Sequence, residues 1–197
     1  MRLYRFFWKL FHIFFSVFFR WQVIGVEHIP KEGPVILCSN HISVLDPPLI
    51  GSCFRRKIHY MAKEELFRIP VLSFLIKKFG AFPVKRGVGD RTALRSALQL
   101  LEQGKLFGIF PEGTRSKDGR LGKGYTGVGL IVHKSDAPVI PVAIIGSYRL
   151  FQPLTVVFGK PIDFYQQRAM SASADTYKLT TEKIMAEIQT LLDRHRL

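Results

Sequence analysis

The sequence predicts an α/β fold: a single domain with a central, mostly parallel β-sheet flanked by helices, plus an amphipathic helix at the N-terminus. Two observations lead to this prediction. Short apolar runs recur along the chain, and helical patterns lie between them. Such alternation is typical of parallel sheets, because a crossover segment, usually a helix, must join each parallel strand to the next. With 197 residues the chain is long enough to bury a substantial core.

The predicted strands are six apolar runs: residues 35–39, 58–61, 81–84, 106–110, 139–145 and 155–158. Two helical patterns are clear. Residues 90–103 begin with Asp90, a residue type that caps helices, and are followed by Gly104, which ends them. Residues 175–194 form a second amphipathic pattern, and its predicted inner face includes Leu179.

Residues 1–22 hold seven of the 17 phenylalanines and both tryptophans. The polar residues among them are spaced by three or four positions and form one stripe of a helix: Arg2, Arg5, Lys9, His12, Ser16 and Arg20. A narrow basic stripe beside a wide aromatic face suits a helix that lies in a membrane interface. We therefore expect residues 1–22 to anchor the protein on a membrane and residues 23–197 to form the α/β domain.

Other interpretations of the apolar segments stay open. Lys9 interrupts the first segment, which is unfavourable for a membrane span, and no small-residue cleavage site of a signal peptide follows it. A shallow, tilted insertion and a terminal helix packed on its own domain are the alternatives. Residues 66–76, which precede Lys77 and Lys78, form either a second docking surface or a core helix kinked at Pro70.

The formal net charge of +14 favours polyanionic partners: nucleic acid, anionic lipid, or phosphorylated and acidic molecules. The excess lies in residues 1–160, because residues 161–197 contain equal numbers of basic and acidic side chains. Cys38 and Cys53 lie in or near apolar runs, which indicates buried thiols in a reducing compartment rather than a disulfide framework. No Cys/His cluster has zinc spacing, so we expect no metal site.

Polar clusters follow three of the predicted strands, where sites gather in parallel sheets. The first is N-H-I-S-V-L-D, residues 40–46. An aspartate such as Asp46, bonded to one ring nitrogen of His41, would leave the other nitrogen as a base. The alternative is that Asp46, standing before Pro47, only caps a helix and that His41 is an ordinary loop residue.

The other two clusters carry the charges that an anionic substrate needs. Lys85 and Arg86 precede a glycine and can hold a phosphate, although an ordinary basic turn has the same composition. A carboxylate, a guanidinium and two hydroxyls follow the strand at 106–110: Glu112, Gly113, Thr114, Arg115 and Ser116. The glycine-rich segment 119–124 lacks the Walker spacing and is interpreted as a mobile loop near the site.

The chain lacks a G-x-S-x-G nucleophile motif, and neither cysteine stands beside an evident base. The chemistry therefore favours base-assisted attack by a group of the substrate rather than by an enzyme nucleophile.

Four segments, N-H-x4-D at 40–46, G-A-F-P-V-K-R at 80–86, F-P-E-G-T-R-S at 110–116 and V-I-P-V-A-I at 139–144, resemble the motifs of the glycerolipid acyltransferases. The similarity is greatest to bacterial 1-acylglycerol-3-phosphate (lysophosphatidic acid) acyltransferases and extends over residues 27–160. The first and third motifs are the most specific. The resemblance implies direct transfer of an acyl group from acyl-CoA or acyl-carrier protein to the sn-2 hydroxyl, giving phosphatidic acid, with no acyl-enzyme.

The resemblance also implies roles for the motif residues. His41 is the expected general base, and Asp46 orients it. Arg86 and Arg115 are expected to bind the acceptor phosphate, while Glu112 and Gly113 place the glycerol; Thr114 and Lys85 complete the expected substrate-binding set. The oxyanion donor is left open between backbone N–H groups and Lys85. Gly122 departs from the family, in which many members have phenylalanine at that point, so the role of its loop is not carried over.

The expected partners are an anionic lipid leaflet and acyl-CoA or an acyl-carrier protein as co-substrate, with no cofactor and no nucleic acid. The expected location is the cytoplasmic face of the cell membrane, as a peripheral or monotopic protein. One alternative is another acceptor, such as glycerol-3-phosphate, another lysophospholipid or an amino-acid-derived lyso-lipid. A second is a non-catalytic basic protein that binds nucleic acid or membrane. An inactive relative is disfavoured, because the motif residues are present.

Overall fold

The computed structural model describes residues 2–85 and 89–196. One sheet contains the strands β1 (Arg20–Ile24), β2 (Val35–Ser39), β3 (Ile58–Lys63), β4 (Phe82–Val84), β5 (Leu106–Ile109), β6 (Val139–Gly146) and β7 (Pro153–Phe158). The α-helices are α1 (Arg2–Phe18), α2 (Asp46–Ser52), α3 (Pro70–Lys78), α4 (Arg91–Glu102), α5 (Gly127–His133), α6 (Tyr165–Ala169) and α7 (Ala174–Arg194). Short 3₁₀ turns cover Val26–His28 and Glu64–Arg68.

The strand order is β1-β7-β6-β2-β5-β3-β4. The five strands from β6 to β4 are parallel, whereas β7 runs antiparallel to β6 and pairs in parallel with β1. The prediction of an α/β domain with a mostly parallel sheet is therefore confirmed. Because the five parallel strands point the same way, their carboxyl ends lie along one edge of the sheet.

Strand β2 lies in the middle of this sheet and is buried on both faces. Its alternate residues face two helical layers, as the two-residue period of a strand requires. Val35 and Leu37 belong to a core that includes residues of α1 and α2, such as Phe15 and Leu49. The intervening residues belong to the opposite core, with side chains from α4, α5 and α7: Ile36, Cys38, Ala97, Ile131 and Ile184.

All six predicted strands form, with ends that differ by at most two residues. Strand β1 was missed, and the assignment of residues 1–22 to one helix was wrong at its end. Helix α1 stops at Phe18, so Arg20 does not belong to the helical polar stripe. The backbone N–H of Arg20 instead donates to the carbonyl of Gln152, and Phe19 is buried in the core. This long-range strand pairing overrides the local helical pattern.

Helix α1 has two different apolar faces. One packs on the domain: Phe15 is fully buried, and the rings of Tyr4, Phe7 and Phe11 contact that of Phe79. His12, which was placed in the polar stripe, lies on this side, with its Nδ1 3.2 Å from the carbonyl oxygen of Ser52. The other face is an exposed apolar stripe of Leu3, Phe6, Leu10, Ile13 and Val17. The interpretation as a terminal helix packed on its own domain therefore fits one side of α1. The interpretation as an amphipathic surface helix fits the other side.

Two further helices differ from expectation. Pro70 begins α3 rather than kinking it, so the alternative of a kinked core helix is wrong, and Val71 and Phe74 are exposed. Leu179 of α7 is 47% exposed, although the sequence placed it on the inner face. Threonines occupy the buried face of the first half of this helix instead: Thr176, Thr180 and Thr181. Their hydroxyls donate to backbone carbonyls, which makes their burial acceptable.

Helix α5 approaches α7 closely at Gly129. A methyl group there would overlap the carbonyl oxygen of Tyr177, which belongs to a helix backbone and cannot easily move. We expect Gly129→Ala to lower the free energy of unfolding by about 2 kcal/mol through this overlap. Chemical denaturation checks the expectation, with Gly127→Ala as the matched control, because an added Cβ at Gly127 meets no atom within 4 Å. Equal stability of the two variants would show that the helices are not packed this closely.

Candidate active site

Two of the three polar clusters of the sequence, residues 40–46 and 112–116, meet where neighbouring parallel strands end. His41 follows β2, and Glu112 follows β5, which pairs with β2 on one side. Tyr148 follows β6, which pairs with β2 on the other side. Adjacent parallel strands are about 4.8 Å apart, so the side chains that follow them come within contact of one another. The carboxyl edge of the sheet is the usual place for a ligand site in this architecture.

His41 and Asp46 form a direct hydrogen-bonded pair. The Nδ1–H of His41 donates to Oδ2 of Asp46 at 2.7 Å, and the Asp46 side chain is fully buried. The His41 side chain keeps 11% exposure, and its ring stacks on Phe110 with centroids 4.0 Å apart. Within residues 2–85 and 89–196, Nε2 of His41 has no hydrogen-bond partner. A histidine held in this tautomer can accept a proton at Nε2.

The Asp46 carboxylate is satisfied by the protein at both oxygens. Besides His41, the backbone N–H groups of Ile42 and Ser43 donate to Oδ2 at 2.7 and 2.8 Å. The hydroxyl of Tyr148 donates to Oδ1 at 2.6 Å. Asp46 is the first residue of α2, and its side chain turns back to the preceding loop instead of bonding the free N–H groups of the helix. The alternative that Asp46 merely caps the helix is therefore wrong.

Glu112 connects three loops around this pair. It is only 5% exposed, and its Oε1 accepts the backbone N–H of His41 at 2.9 Å. Its other oxygen, Oε2, accepts the N–H of Gly122 in the glycine-rich loop at 2.8 Å. Both oxygens are thus used within the protein, a role that the sequence analysis did not assign. Placement of the acceptor glycerol by Glu112 stays a prediction.

Gly113 forms the tight turn that brings Glu112 next to the pair of His41 and Asp46. Its φ of +64° is in the left-handed region that favours glycine, and its N–H donates to the carbonyl of Phe110 at 2.9 Å. A Cβ at this position would lie 2.9 Å from the ring of Tyr125. The N–H of Ser116 in turn donates to the carbonyl of His41 at 2.8 Å. This turn is therefore fastened directly to the loop of the proposed base.

The described cationic candidates lie at the same edge of the sheet and are exposed. Arg115 and Thr114 are on the surface of the turn that follows β5. Lys85 follows β4, which lies two strands from β5, a separation of about 10 Å at the usual strand spacing. The backbone N–H of Lys85 donates to the Asp90 carboxylate at 2.8 Å, which ties it to the start of α4. Arg86 lies outside the described residues.

Other features bear on alternative chemistry. Burial raises the pKa of the Cys38 and Cys53 thiols, so both stay protonated at neutral pH and are poor nucleophiles. In the part of the chain that the structure describes, no three His, Cys, Asp or Glu side chains are grouped so that they would hold a metal ion. Among the same residues, no helix has the length and hydropathy to cross a membrane.

Two neighbours of the His41–Asp46 pair, Asn40 and Tyr148, were given no role of their own in the sequence analysis. Asn40 exchanges two hydrogen bonds with the backbone of Ile144, at 2.9 and 2.7 Å, and so fixes the end of β2 against β6. Tyr148 contacts Asp46 across 102 positions of sequence. Burial and the neighbouring Asp46 carboxylate raise the pKa of Tyr148 far above its usual range, so its hydroxyl is a donor at neutral pH. The sequence feature that could have indicated Tyr148 is its position just after the predicted strand at 139–145, where the other site residues also follow strands.

Residues 20–145 match the family model described as Acyltransferase. This match covers more than half of the chain, and the protein therefore belongs to the acyltransferase family. The sequence-based recognition of that family is confirmed.

Its relatives include 1-acyl-sn-glycerol-3-phosphate acyltransferases. A chloroplastic one from Brassica napus (BAT2) is 33% identical over 137 residues, which is 68% of this chain but 39% of that protein. The one from Bacillus subtilis is 31% identical over 148 residues, covering 72% of this chain and 73% of the relative. The chain thus spans about two fifths of the plant protein and about three quarters of the bacterial one.

A solved structure extends the similarity to the whole domain. The crystal structure of the 1-acyl-sn-glycerophosphate acyltransferase PlsC from Thermotoga maritima superposes with a TM-score of 0.77 and 30% sequence identity. The match covers 98% of this chain and 80% of that one.

The stability of a Glu112 variant distinguishes a structural role of this residue from a role in substrate binding alone, because Glu112 makes two hydrogen bonds within the protein. In Glu112→Gln the amide group would direct N–H donors at one of the two backbone N–H groups. We expect the free energy of unfolding to fall by about 1–3 kcal/mol, because a buried donor loses its acceptor. The measurement is denaturation without substrate, beside Glu182→Gln, whose exposed carboxylate has only a surface ion pair with Lys178. Unchanged stability would leave substrate binding as the sole role of Glu112.

Proposed function

We propose that this protein transfers an acyl group from a thioester, acyl-CoA or acyl-carrier protein, to the sn-2 hydroxyl of 1-acylglycerol-3-phosphate, giving phosphatidic acid. The observation that carries the proposal is the pair of His41 and buried Asp46, with Nε2 of His41 unoccupied by any described residue. The acceptor rests on the activity for which the Bacillus subtilis and Brassica napus relatives are named.

In the proposed mechanism, Nε2 of His41 removes the proton of the acceptor hydroxyl while the hydroxyl oxygen attacks the thioester carbonyl carbon. The tetrahedral intermediate then collapses, the carbon–sulfur bond breaks, and the leaving thiolate takes the proton from the imidazolium. Asp46 holds the ring and offsets its positive charge during the step. A thioester is already activated, so no acyl-enzyme and no cofactor are required. General-base assistance of this kind typically contributes about 10²–10⁴-fold.

The acceptor phosphate is assigned to Arg115 and Arg86, with Lys85 as an additional cation or as the oxyanion donor. Arg115 supports this because it is exposed and makes no ion pair with any residue in the described ranges 2–85 and 89–196. A guanidinium can bind a phosphate through two parallel hydrogen bonds. The proposed binding site of the glycerol is the turn of Glu112 and Gly113, held beside His41, with Thr114 as a further substrate-binding residue.

The proposed location is the surface of an anionic leaflet on the cytoplasmic side of the cell membrane. The exposed apolar stripe of α1 supports it, because Phe6, Ile13 and Val17 are 62%, 49% and 57% exposed. The cations Arg5 and Lys9 flank this stripe and suit anionic headgroups. Leu150 and Phe151 are two more residues with exposed apolar side chains. They lie next to the end of α1, because the backbone N–H of Phe151 donates to the carbonyl of Phe18.

The direct test is transfer of a labelled acyl group to 1-acylglycerol-3-phosphate in mixed micelles, from acyl-CoA and from acyl-carrier protein. We expect His41→Ala to lower kcat by about 10²–10⁴-fold, because the general base is lost. His195→Ala is the matched control, since His195 follows α7 and lies outside the site. A folded His41→Ala variant that keeps most of the wild-type rate would refute the mechanism.

The same assay with other acceptors tests the substrate. A wild-type protein that is silent with 1-acylglycerol-3-phosphate but active with glycerol-3-phosphate, another lysophospholipid or an amino-acid-derived lyso-lipid would overturn the acceptor and keep the acyl-transfer chemistry. Activity with none of them, with either donor, would overturn the acyltransferase function itself.

Membrane docking is tested by sedimentation with vesicles that contain anionic phospholipid. We expect Phe6→Glu combined with Ile13→Glu to reduce vesicle binding by at least about tenfold. Each change removes apolar surface that the bilayer would bury, and it adds a carboxylate that the anionic lipid repels. Leu179→Glu is the control, since Leu179 is an apolar residue on α7 that is about as exposed as Ile13. Equal binding by the double variant and the wild type would show that α1 does not contact lipid.

A further inference from the structure

Tyr148 stands in the turn of the β6–β7 hairpin and reaches the centre of the candidate site. Its hydroxyl donates to Oδ1 of Asp46 at 2.6 Å, and its ring meets that of Phe19 edge-on, with centroids 6.0 Å apart. The tyrosine is thus held at both ends, by the ring of a core residue and by the carboxylate. None of the roles assigned to the site so far includes it.

The two oxygens of Asp46 have unequal surroundings. Oδ2 receives three donors from a short segment of one loop, His41 to Ser43. Oδ1 receives the hydroxyl of Tyr148 as its one donor among the residues that the structure describes. A partial rotation about the Cβ–Cγ bond of Asp46 would tilt the carboxylate plane and turn the accepting oxygen away from the ring of His41, and the bond from Tyr148 opposes that tilt. The hydroxyl is therefore placed to keep Oδ2 directed at the ring of His41.

The hairpin turn that carries Tyr148 is itself constrained. Phe151 adopts a φ of +62°, a left-handed conformation that is uncommon for a residue with a side chain, and its N–H donates to the carbonyl of Phe18. The N–H of Arg20 donates to the carbonyl of Gln152 at 3.1 Å. Fixing the turn at these points limits the positions that the Tyr148 ring can take and favours its hydrogen bond to Asp46.

We propose that Tyr148 is a positioning residue for acyl transfer: it holds the Asp46 carboxylate in the orientation that keeps His41 in the tautomer with a free Nε2. This inference rests on the proposed function, in which His41 is the base. Tyr148 need not touch either substrate, so its loss should alter the chemical step and leave substrate binding unchanged.

The test is Tyr148→Phe, which removes the hydroxyl and keeps the ring against Phe19. We expect kcat to fall about tenfold, as for the loss of one hydrogen bond to a charged group, with the KM of donor and acceptor unchanged within twofold. Tyr4→Phe is the matched control, because the Tyr4 hydroxyl donates to the carbonyl of Arg56 on the side of α1 that faces the domain. We expect full kcat for this control.

A double-mutant cycle with Asp46→Asn shows whether Tyr148 acts through Asp46. The residual rate is measured at raised enzyme concentration, and we expect Tyr148→Phe to have no further effect in the Asp46→Asn background. A full kcat for Tyr148→Phe overturns the inference, as does the same tenfold loss in both backgrounds. A loss of thermal stability with an unchanged kcat would also overturn it, since the role would then be structural.

The two proposals fail in distinguishable ways. If His41→Ala abolishes transfer and Tyr148→Phe does not slow it, only the role of Tyr148 is refuted. If His41→Ala keeps its rate, the proposed mechanism fails first, and the role of Tyr148 fails with it.

Discussion

The burial of the Asp46 carboxylate is the constraint on which the rest of the site depends. A buried carboxylate is costly unless hydrogen bonds replace the water that it loses. Asp46 gains four donors, and they come from the loop after β2 and from the hairpin after β6. Neither segment can move far without leaving this charge uncompensated. The carboxylate therefore fixes the backbone around His41 as well as its ring.

Glu112 extends the same principle to the next strand. Its Oε1 accepts the N–H of His41, and the N–H groups of the following two residues, Ile42 and Ser43, donate to Asp46. Three successive backbone N–H groups are thus bound by two buried carboxylates, one carried by α2 and one by the turn after β5. Such a run of N–H groups would otherwise be an anion site of its own. Here it is occupied by the protein and sets the position of the histidine.

The central elements were predictable from sequence because their environment is simple. Strand β2 is buried on both faces and reads as a continuous apolar run, and α4 carries its own cap, since Asp90 accepts the N–H groups of Thr92 and Ala93. Strand β1 was not predictable, because it is a half-exposed edge strand whose pairing partner lies about 130 positions away. Sequence distance also decided what could be predicted within the site. His41 and Asp46 are five positions apart, whereas the contact between Tyr148 and Asp46 spans 102 positions and is made only in the folded chain. Glu112 accepts hydrogen bonds from backbone N–H groups, and these could not be predicted because almost every residue carries such a group.

The two apolar faces of α1 have a consequence for how substrates would reach the protein. One face is built into the core through Phe15, so the helix cannot swing out toward a bilayer as a free arm does. If the exposed stripe lies in the interface as proposed, the whole domain is held at one height and one tilt above the lipid. The acceptor then has to bring its headgroup up to a stationary site while its chain remains in the leaflet. Reach along the membrane normal, and not only the shape of the site, would decide which lipids are acylated.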